Sequence, residues 1–299
     1  MIEDEPTGAV PSTTIGRSRV EVEVHVPSNN QTLDAATLAT DVRRRVLDLS
    51  YQAHVGHIGS CLSVADALAA VYAAPWFDFH RAHGRDRFVM AKGHAGLALY
   101  AVLEAVGVIS PDSLDTFGRD GSSFGVHPEH HLPGIDFSTG SLGQGLGMAV
   151  GAALAARVQR SERSTVALLS DAECNSGATW EAASFAGHHR LARLVAVVDV
   201  NGQQALGPTR EICDQEPFAE RWRCAGWEAR EVSGHDVAAL TAALEPSTAG
   251  PVVVVARTLF GSGVSFMEGQ LEWHYLPMTP EQYDAARADV DAARAVDAR

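Results

Sequence analysis

The sequence predicts an α/β fold, a mainly parallel sheet flanked by helices, and three observations carry that reading. Four short runs are almost wholly apolar: Phe88 to Met90, Val166 to Leu169, Leu194 to Val200 and Val252 to Ala256. Runs of that kind are strands covered on both faces. They alternate with Ala-rich stretches of helical period, and such alternation implies crossover connections in a parallel sheet. The chain has 299 residues, 46% of them hydrophobic, enough to bury a sizeable core.

Residues 1–33 are polar and carry Pro, Gly, Ser and Asn, but within them RVEVEVHV sets Val20, Val22, Val24 and Val26 on one side of an extended strand. The segment reads as an N-terminal arm, and residues 34–299 as one domain. From Asp34 to Ala53, Leu38, Val42, Val46, Leu47 and Leu49 recur at helical spacing, so a first helix is expected to end near Gly56 and Gly59. Further helices are expected over Ala95 to Val106, Leu142 to Val158, Thr179 to His188 and Val237 to Leu244. Thr279-Pro280-Glu281-Gln282 has the pattern of a capping box with proline at the first helical position, and it opens a terminal helix.

A formal charge of −14 disfavours nucleic acid and anionic membrane, because a phosphate-backbone binder needs a concentrated positive surface. Cys61, Cys174, Cys213 and Cys224 form no Cys-x-x-Cys pair, so neither a zinc knuckle nor a redox dithiol is indicated. The acidic N-terminus and short apolar runs give neither a secretory signal nor a membrane span, and a cytoplasmic location is expected.

Chemistry concentrates in LLSDAECNSG and, thirty residues after Asp171, in VVDVNG. Asp171 and Asn201 each follow an apolar strand, where ligands bind in open parallel sheets. A carboxylate and an amide carbonyl are hard oxygen ligands suited to Mg²⁺ or Ca²⁺ bridging a diphosphate. On spacing alone, an Asp171 that caps the next helix and an Asn201-Gly202 turn remain alternatives. GSLGQGLGMAVG superficially suggests a nucleotide loop, yet no apolar strand precedes it, as Pro133 and Gly134 show. Its glycines are expected to let a helix start pack tightly.

These motifs resemble the transketolase family. The Asp171 to Asn201 pair is similar to the thiamine-diphosphate motif, and WEAASFAGHHRLARLVAVVDVNG continues the likeness. HVGHIGSCLSVADALAAVY, DRFVMAKGHAGLALYAVLEAVG, the FGVHPEHH to GMAVG stretch and GVSFMEGQLEWH resemble other family segments in the same order over about residues 36–285. The resemblance implies a thiamine-diphosphate-binding fold of the diphosphate-domain type. It gives Asp171, Asn201 and the Gln203 carbonyl to the metal, Mg²⁺ or Ca²⁺. Ala172 and Glu173 fall to the cofactor, with Asn201. His94 and His274 match diphosphate-binding histidines, His57 one near diphosphate and substrate, and His127 one that bonds a hydroxyl of the transferred two-carbon unit. Gly140 and Leu142 match contacts to the aminopyrimidine. Glu181 matches a member of a carboxylate chain linking cofactors across a dimer, so His57, His127, His274 and Glu181 are the implied catalytic set.

The sequence departs from the family pattern at Ser170 and Ala172, where glycines are usual, at Ser176, where an acid is usual, and in FGSGVSF, which lacks the common lysines. Complete transketolases add a pyrimidine-binding domain. The resemblance therefore implies the N-terminal subunit of a split transketolase, moving a two-carbon ketol unit from a ketose to an aldehyde. Its partner would be a separate C-terminal subunit, with two copies of each chain and a sugar or sugar-phosphate substrate. The alternatives are another thiamine-dependent acyloin or ketol transferase of a specialised pathway, and a noncatalytic assembly subunit.

Overall fold

The computed structural model of the protein describes residues 33–80 and 84–297. The strand expected in the arm lies outside them. Helix α1 (Ala35–Ala53) starts where Asp34 accepts a hydrogen bond from the Thr37 N–H at 2.9 Å, an N-cap that satisfies an otherwise unpaired donor. It ends before the glycines, at His54, which takes the left-handed conformation itself. Then come α2 (Ile58–Leu62), α3 (Ala65–Tyr72), β1 (Arg87–Met90), α4 (Gly96–Ala105), α5 (Pro111–Leu114) and α6 (Gly145–Val158). Next are β2 (Thr165–Ser170), α7 (Gly177–His188) and β3 (Leu194–Val200), with a small hairpin of β4 (Gln203–Gln204) and β5 (Gly207–Pro208). The chain continues through α8 (Thr209–Cys213), α9 (Phe218–Cys224), β6 (Glu228–Ser233), α10 (Val237–Ala243), β7 (Val252–Arg257) and α11 (Pro280–Asp297).

Five strands form one parallel sheet in the order β1-β2-β3-β7-β6. Alternation along each strand divides the core in two. Met90, Leu168, Val197 and Val254 face a layer that includes α1, α3, α4 and α10, whereas Val89, Leu169, Val198 and Val255 face α6, α7 and α9. Val252 to Val255 are all fully buried, and each valine removed from water contributes on the order of 1.5–3 kcal/mol. The β6 strand is not anticipated by the sequence pattern. It forms the edge of the sheet, so EAREVS can leave its charged side chains partly exposed and shows no apolar run.

At the other end of the chain, the capping box forms as expected: the Thr279 N–H donates to Gln282 Oε1 at 2.9 Å, and the Gln282 N–H to Thr279 Oγ1 at 3.3 Å. The Tyr283 ring stacks on Tyr51 of α1 at 4.3 Å, which docks α11 against the first helix. No helix among the described residues is long and apolar enough to cross a membrane. Because the strands are parallel, β1, β2, β3 and β7 all carry the residues beyond their carboxyl ends to one edge. His94, Asp171, Asn201 and Thr258 therefore meet there.

Candidate active site

A cleft of about 480 Å³ opens at that edge, and His57, His94, His127, Gly140, Leu142, Ala172, Asn201, Gln203 and His274 all line it. Most of the residues singled out in the sequence are thus brought together from segments more than two hundred positions apart. His57 precedes α2 in the left-handed region, at φ 63°, a conformation uncommon outside glycine. Its N–H donates to the His274 carbonyl at 3.1 Å, which ties the first and last of these segments together.

The rings of His57, His94 and His274 form a triangle, with centroids 4.9 Å (His57 to His274), 5.5 Å (His57 to His94) and 5.8 Å (His94 to His274) apart. Burial, and then the positive charge of the neighbouring histidines and of Lys92, pushes His57 down to about 4. Burial, then Lys92 and the neighbouring histidines, lower His94 well below its ordinary value, and burial and then Lys92 lower His274. All three are therefore neutral near pH 7. The Nδ1 atoms of His57 and His274 are buried and have no hydrogen-bond partner. Buried polar atoms without partners are uncommon, and two in one cleft mark a place for a polar ligand.

Below the cleft, Asp171 is fully buried. Its Oδ2 accepts from Thr209 Oγ1 at 2.7 Å and from the Gly202 N–H at 3.1 Å, and its Oδ1 from the Ala172 N–H at 2.8 Å. A carboxylate offers about four acceptor positions, so one on Oδ1 stays open for a cation. Desolvation raises its pKa to about 6, opposed by the Thr209 hydrogen bond; a bound cation would reverse that shift. Asn201 donates through Nδ2 to Asp199 Oδ2 at 3.0 Å. Since a carboxylate there can only accept, the amide oxygen is turned the other way, where the Gln203 N–H meets it at 3.0 Å. One carboxylate oxygen and one amide oxygen above a parallel sheet fit a hard divalent cation with a diphosphate, and the unpaired nitrogens of His57 and His274 fit oxygens of a polar ligand in the cleft.

The Gly-rich turn forms one wall. Gly145 starts α6 so close to β1 that a Cβ on it would lie 2.2 Å from the Ala91 methyl. Gly143 has φ 91°, and a Cβ there would lie 2.2 Å from Ser176 Oγ. Ala172 and Glu173, both expected at the cofactor, have different surroundings. The Glu173 side chain is fully buried and does not line the cleft; its Oε1 accepts from the Gly143 N–H at 2.9 Å, so it holds the Gly-rich turn from behind. Burial pushes its pKa up to about 7. Ala172 lines the cleft, but its N–H is already given to Asp171. Glu181 is exposed on α7 and lies outside the cleft lining.

Two residues at the cleft floor escape a reading of the sequence. Lys92, fully buried, donates to Asp199 Oδ2 at 2.5 Å, and Asp199 in turn holds Asn201. The only sequence signal is a charge at or just beyond the end of an apolar strand.

Comparison with known proteins agrees with this geometry. Residues 35–293 match the family model described as transketolase, thiamine diphosphate binding domain. An apulose-4-phosphate transketolase subunit of Phocaeicola vulgatus is 38% identical over 254 residues, covering 83% of this chain and 90% of that protein. A 6-deoxy-6-sulfo-D-fructose transketolase subunit of Clostridium sp. strain MSTE9 is 37% identical over 270 residues, covering 88% and 98%. Among solved structures, the transketolase of Campylobacter jejuni matches with a TM-score of 0.80 at 26% identity, over 87% of this chain and 43% of its own. The chain thus spans nearly all of the subunits it resembles and less than half of that solved transketolase.

Proposed function

The chain belongs to the transketolase family through its thiamine diphosphate binding domain, and on that premise we propose that it is the N-terminal subunit of a split transketolase. The reaction is transfer of a two-carbon ketol unit from a ketose to an aldehyde acceptor. The observation that carries this reading is the triangle of neutral imidazoles that lines one open cleft together with Asn201, with the buried Asp171 below it. That two relatives of matching length are named as transketolase subunits supports a division between two chains.

When bound, thiamine diphosphate supplies the nucleophilic carbon that cleaves the ketose and carries the two-carbon unit. The residues of this chain bind and orient. Asp171, Asn201 and the Gln203 carbonyl would hold Mg²⁺, or Ca²⁺ in its place. His94 and His274 donate to diphosphate oxygens, and being neutral they can also take up a proton. His57 and His127 orient substrate oxygens and move protons between them. Gly140 and Leu142 form the wall for the aminopyrimidine.

The cleft is open where Leu142, Leu206 and Tyr275 stand exposed. On this reading a C-terminal subunit with a pyrimidine-binding domain covers that rim and completes the site, with two copies of each chain in the assembly, and Glu181 acts at a chain-chain boundary. The substrate is a sugar or sugar phosphate. A cytoplasmic location is in keeping with four unpaired cysteines. The test is to purify the chain together with a C-terminal subunit, then to assay the pair, with thiamine diphosphate and Mg²⁺, on a panel of ketoses and aldehydes. Transfer from at least one donor is expected. A pair that binds the cofactor but transfers from none would favour the noncatalytic assembly role.

A further inference from the structure

Lys92 is the only lysine of the chain; every other basic residue among its 23 lysines and arginines is arginine. Surface charge is served equally by arginine, so a lone lysine marks a place where the guanidinium does not substitute. An ammonium is compact, with three donors around one atom, whereas the guanidinium is a wide planar fork. Lys92 occupies such a place: its side chain has no exposure and that of Asp199 1%. Nζ donates to Asp199 Oδ2 at 2.5 Å and to the Ser60 carbonyl at 3.3 Å. These contacts use two of its three N–H groups, and the residue also lines the cleft beside His57, His94 and His274.

A buried ion pair is a poor device for stability alone, because desolvating both charges cancels most of their attraction. Its position on the floor of an anion-binding cleft gives it another use. We propose that Lys92 is a cofactor-binding residue whose third N–H is donated to the diphosphate of thiamine diphosphate, with Asp199 as the positioning residue that serves both Lys92 and Asn201. This rests on the function proposed above. Asp199 is suited to the double task, since it accepts from Ser63 Oγ at 2.8 Å, from Asn201 Nδ2 at 3.0 Å and closely from Thr258 Oγ1. Held from several sides, it fixes the ammonium in place and turns the Asn201 oxygen away from itself. A preset cation spares the diphosphate a rearrangement of the protein when it binds.

The single lysine makes the test direct, since ¹⁵N-labelled lysine gives one side-chain ammonium resonance in the chain. In the enzyme assembled with an unlabelled partner, that resonance is expected to move on adding thiamine diphosphate with Mg²⁺, or inorganic diphosphate with Mg²⁺, and to stay in place with thiamine alone. In parallel, the double variant Lys92→Met with Asp199→Asn removes both charges together, so no uncompensated ion is left buried. It is expected to melt near the wild type but to bind thiamine diphosphate about ten- to a hundredfold more weakly by calorimetry, the scale of one charge-assisted hydrogen bond. A resonance unmoved by diphosphate, or a folded double variant that binds the cofactor as the wild type does, overturns the proposal while leaving the transketolase reading intact. Should the double variant not fold, the resonance alone decides. If the wild-type assembly binds no thiamine diphosphate, the functional reading fails and this proposal fails with it.

Discussion

Replacing Asp171 by alanine is expected to lower the affinity of the assembled enzyme for thiamine diphosphate by at least about a hundredfold, and Asn201→Ala should act in the same direction. Loss of a partner that merely supports a metal ligand costs about 10–100-fold in metal affinity, and here the ligand itself is removed. About three negative charges on a diphosphate in a partly closed cleft need a compensating cation. Asp171 is a buried carboxylate at the end of a central strand with an acceptor position left open for one. The pH dependence has a definite sign. Burial holds the Asp171 carboxyl up at about 6, and only the ionised form binds a metal, so protons compete increasingly as pH falls through that value. Wild-type affinity should therefore weaken below about pH 6, and the steepness of that fall should diminish in Asp171→Ala. Calorimetry at several Mg²⁺ concentrations, with melting curves to check the fold, measures both. An Asp171→Ala enzyme with unchanged, metal-dependent cofactor affinity would remove the metal assignment.

His127→Ala should reduce turnover by about a hundredfold while leaving cofactor affinity nearly intact, the low end of what a positioned proton-transfer group contributes. His127 stands apart from the His57, His94 and His274 triangle: it is exposed, and the Tyr100 hydroxyl donates to its carbonyl at 2.9 Å. It therefore faces the open part of the cleft, where a substrate enters. His94, by contrast, lies within the triangle, and His94→Ala should weaken the cofactor about tenfold. The two variants are separated by measuring cofactor dissociation constants beside saturated turnover. Equal dissociation constants for both variants and the wild type would refute this division of labour.

The fold is most readable in sequence where a segment has one environment on all sides. Val252 to Ala256 is apolar throughout because it runs between β3 and β6 and is covered on both faces. The first and last helices are readable from their period and caps. β6 is not, since an edge strand with charges in alternate positions has no core-facing run to reveal it. In the site, the histidines and the Asp171 to Asn201 pair are legible because their types and spacing repeat a known chemistry. Lys92 and Asp199 are not, because they are 107 positions apart and neither residue says in sequence that the other will neutralise it. The burial of Glu173 behind the Gly-rich turn is equally illegible in the sequence. Asp171 sits just beyond the end of β2, and the short helical turn after it carries the Glu173 carboxylate inward to the Gly143 N–H.

The central claim is that this chain holds the diphosphate end of the cofactor and leaves its activation to a second chain. On the function proposed above, the groups that activate the cofactor belong to the second chain, so this chain alone binds the cofactor without making it nucleophilic. The most direct measurement is hydrogen exchange at C2 of thiamine diphosphate, monitored in saturating cofactor and Mg²⁺ with the chain alone and then in the presence of the C-terminal subunit. Exchange at the rate of the free cofactor with the chain alone, and a large acceleration once the second chain is present, is the predicted result. Fast exchange and ketol transfer by the chain with no second polypeptide present would contradict it.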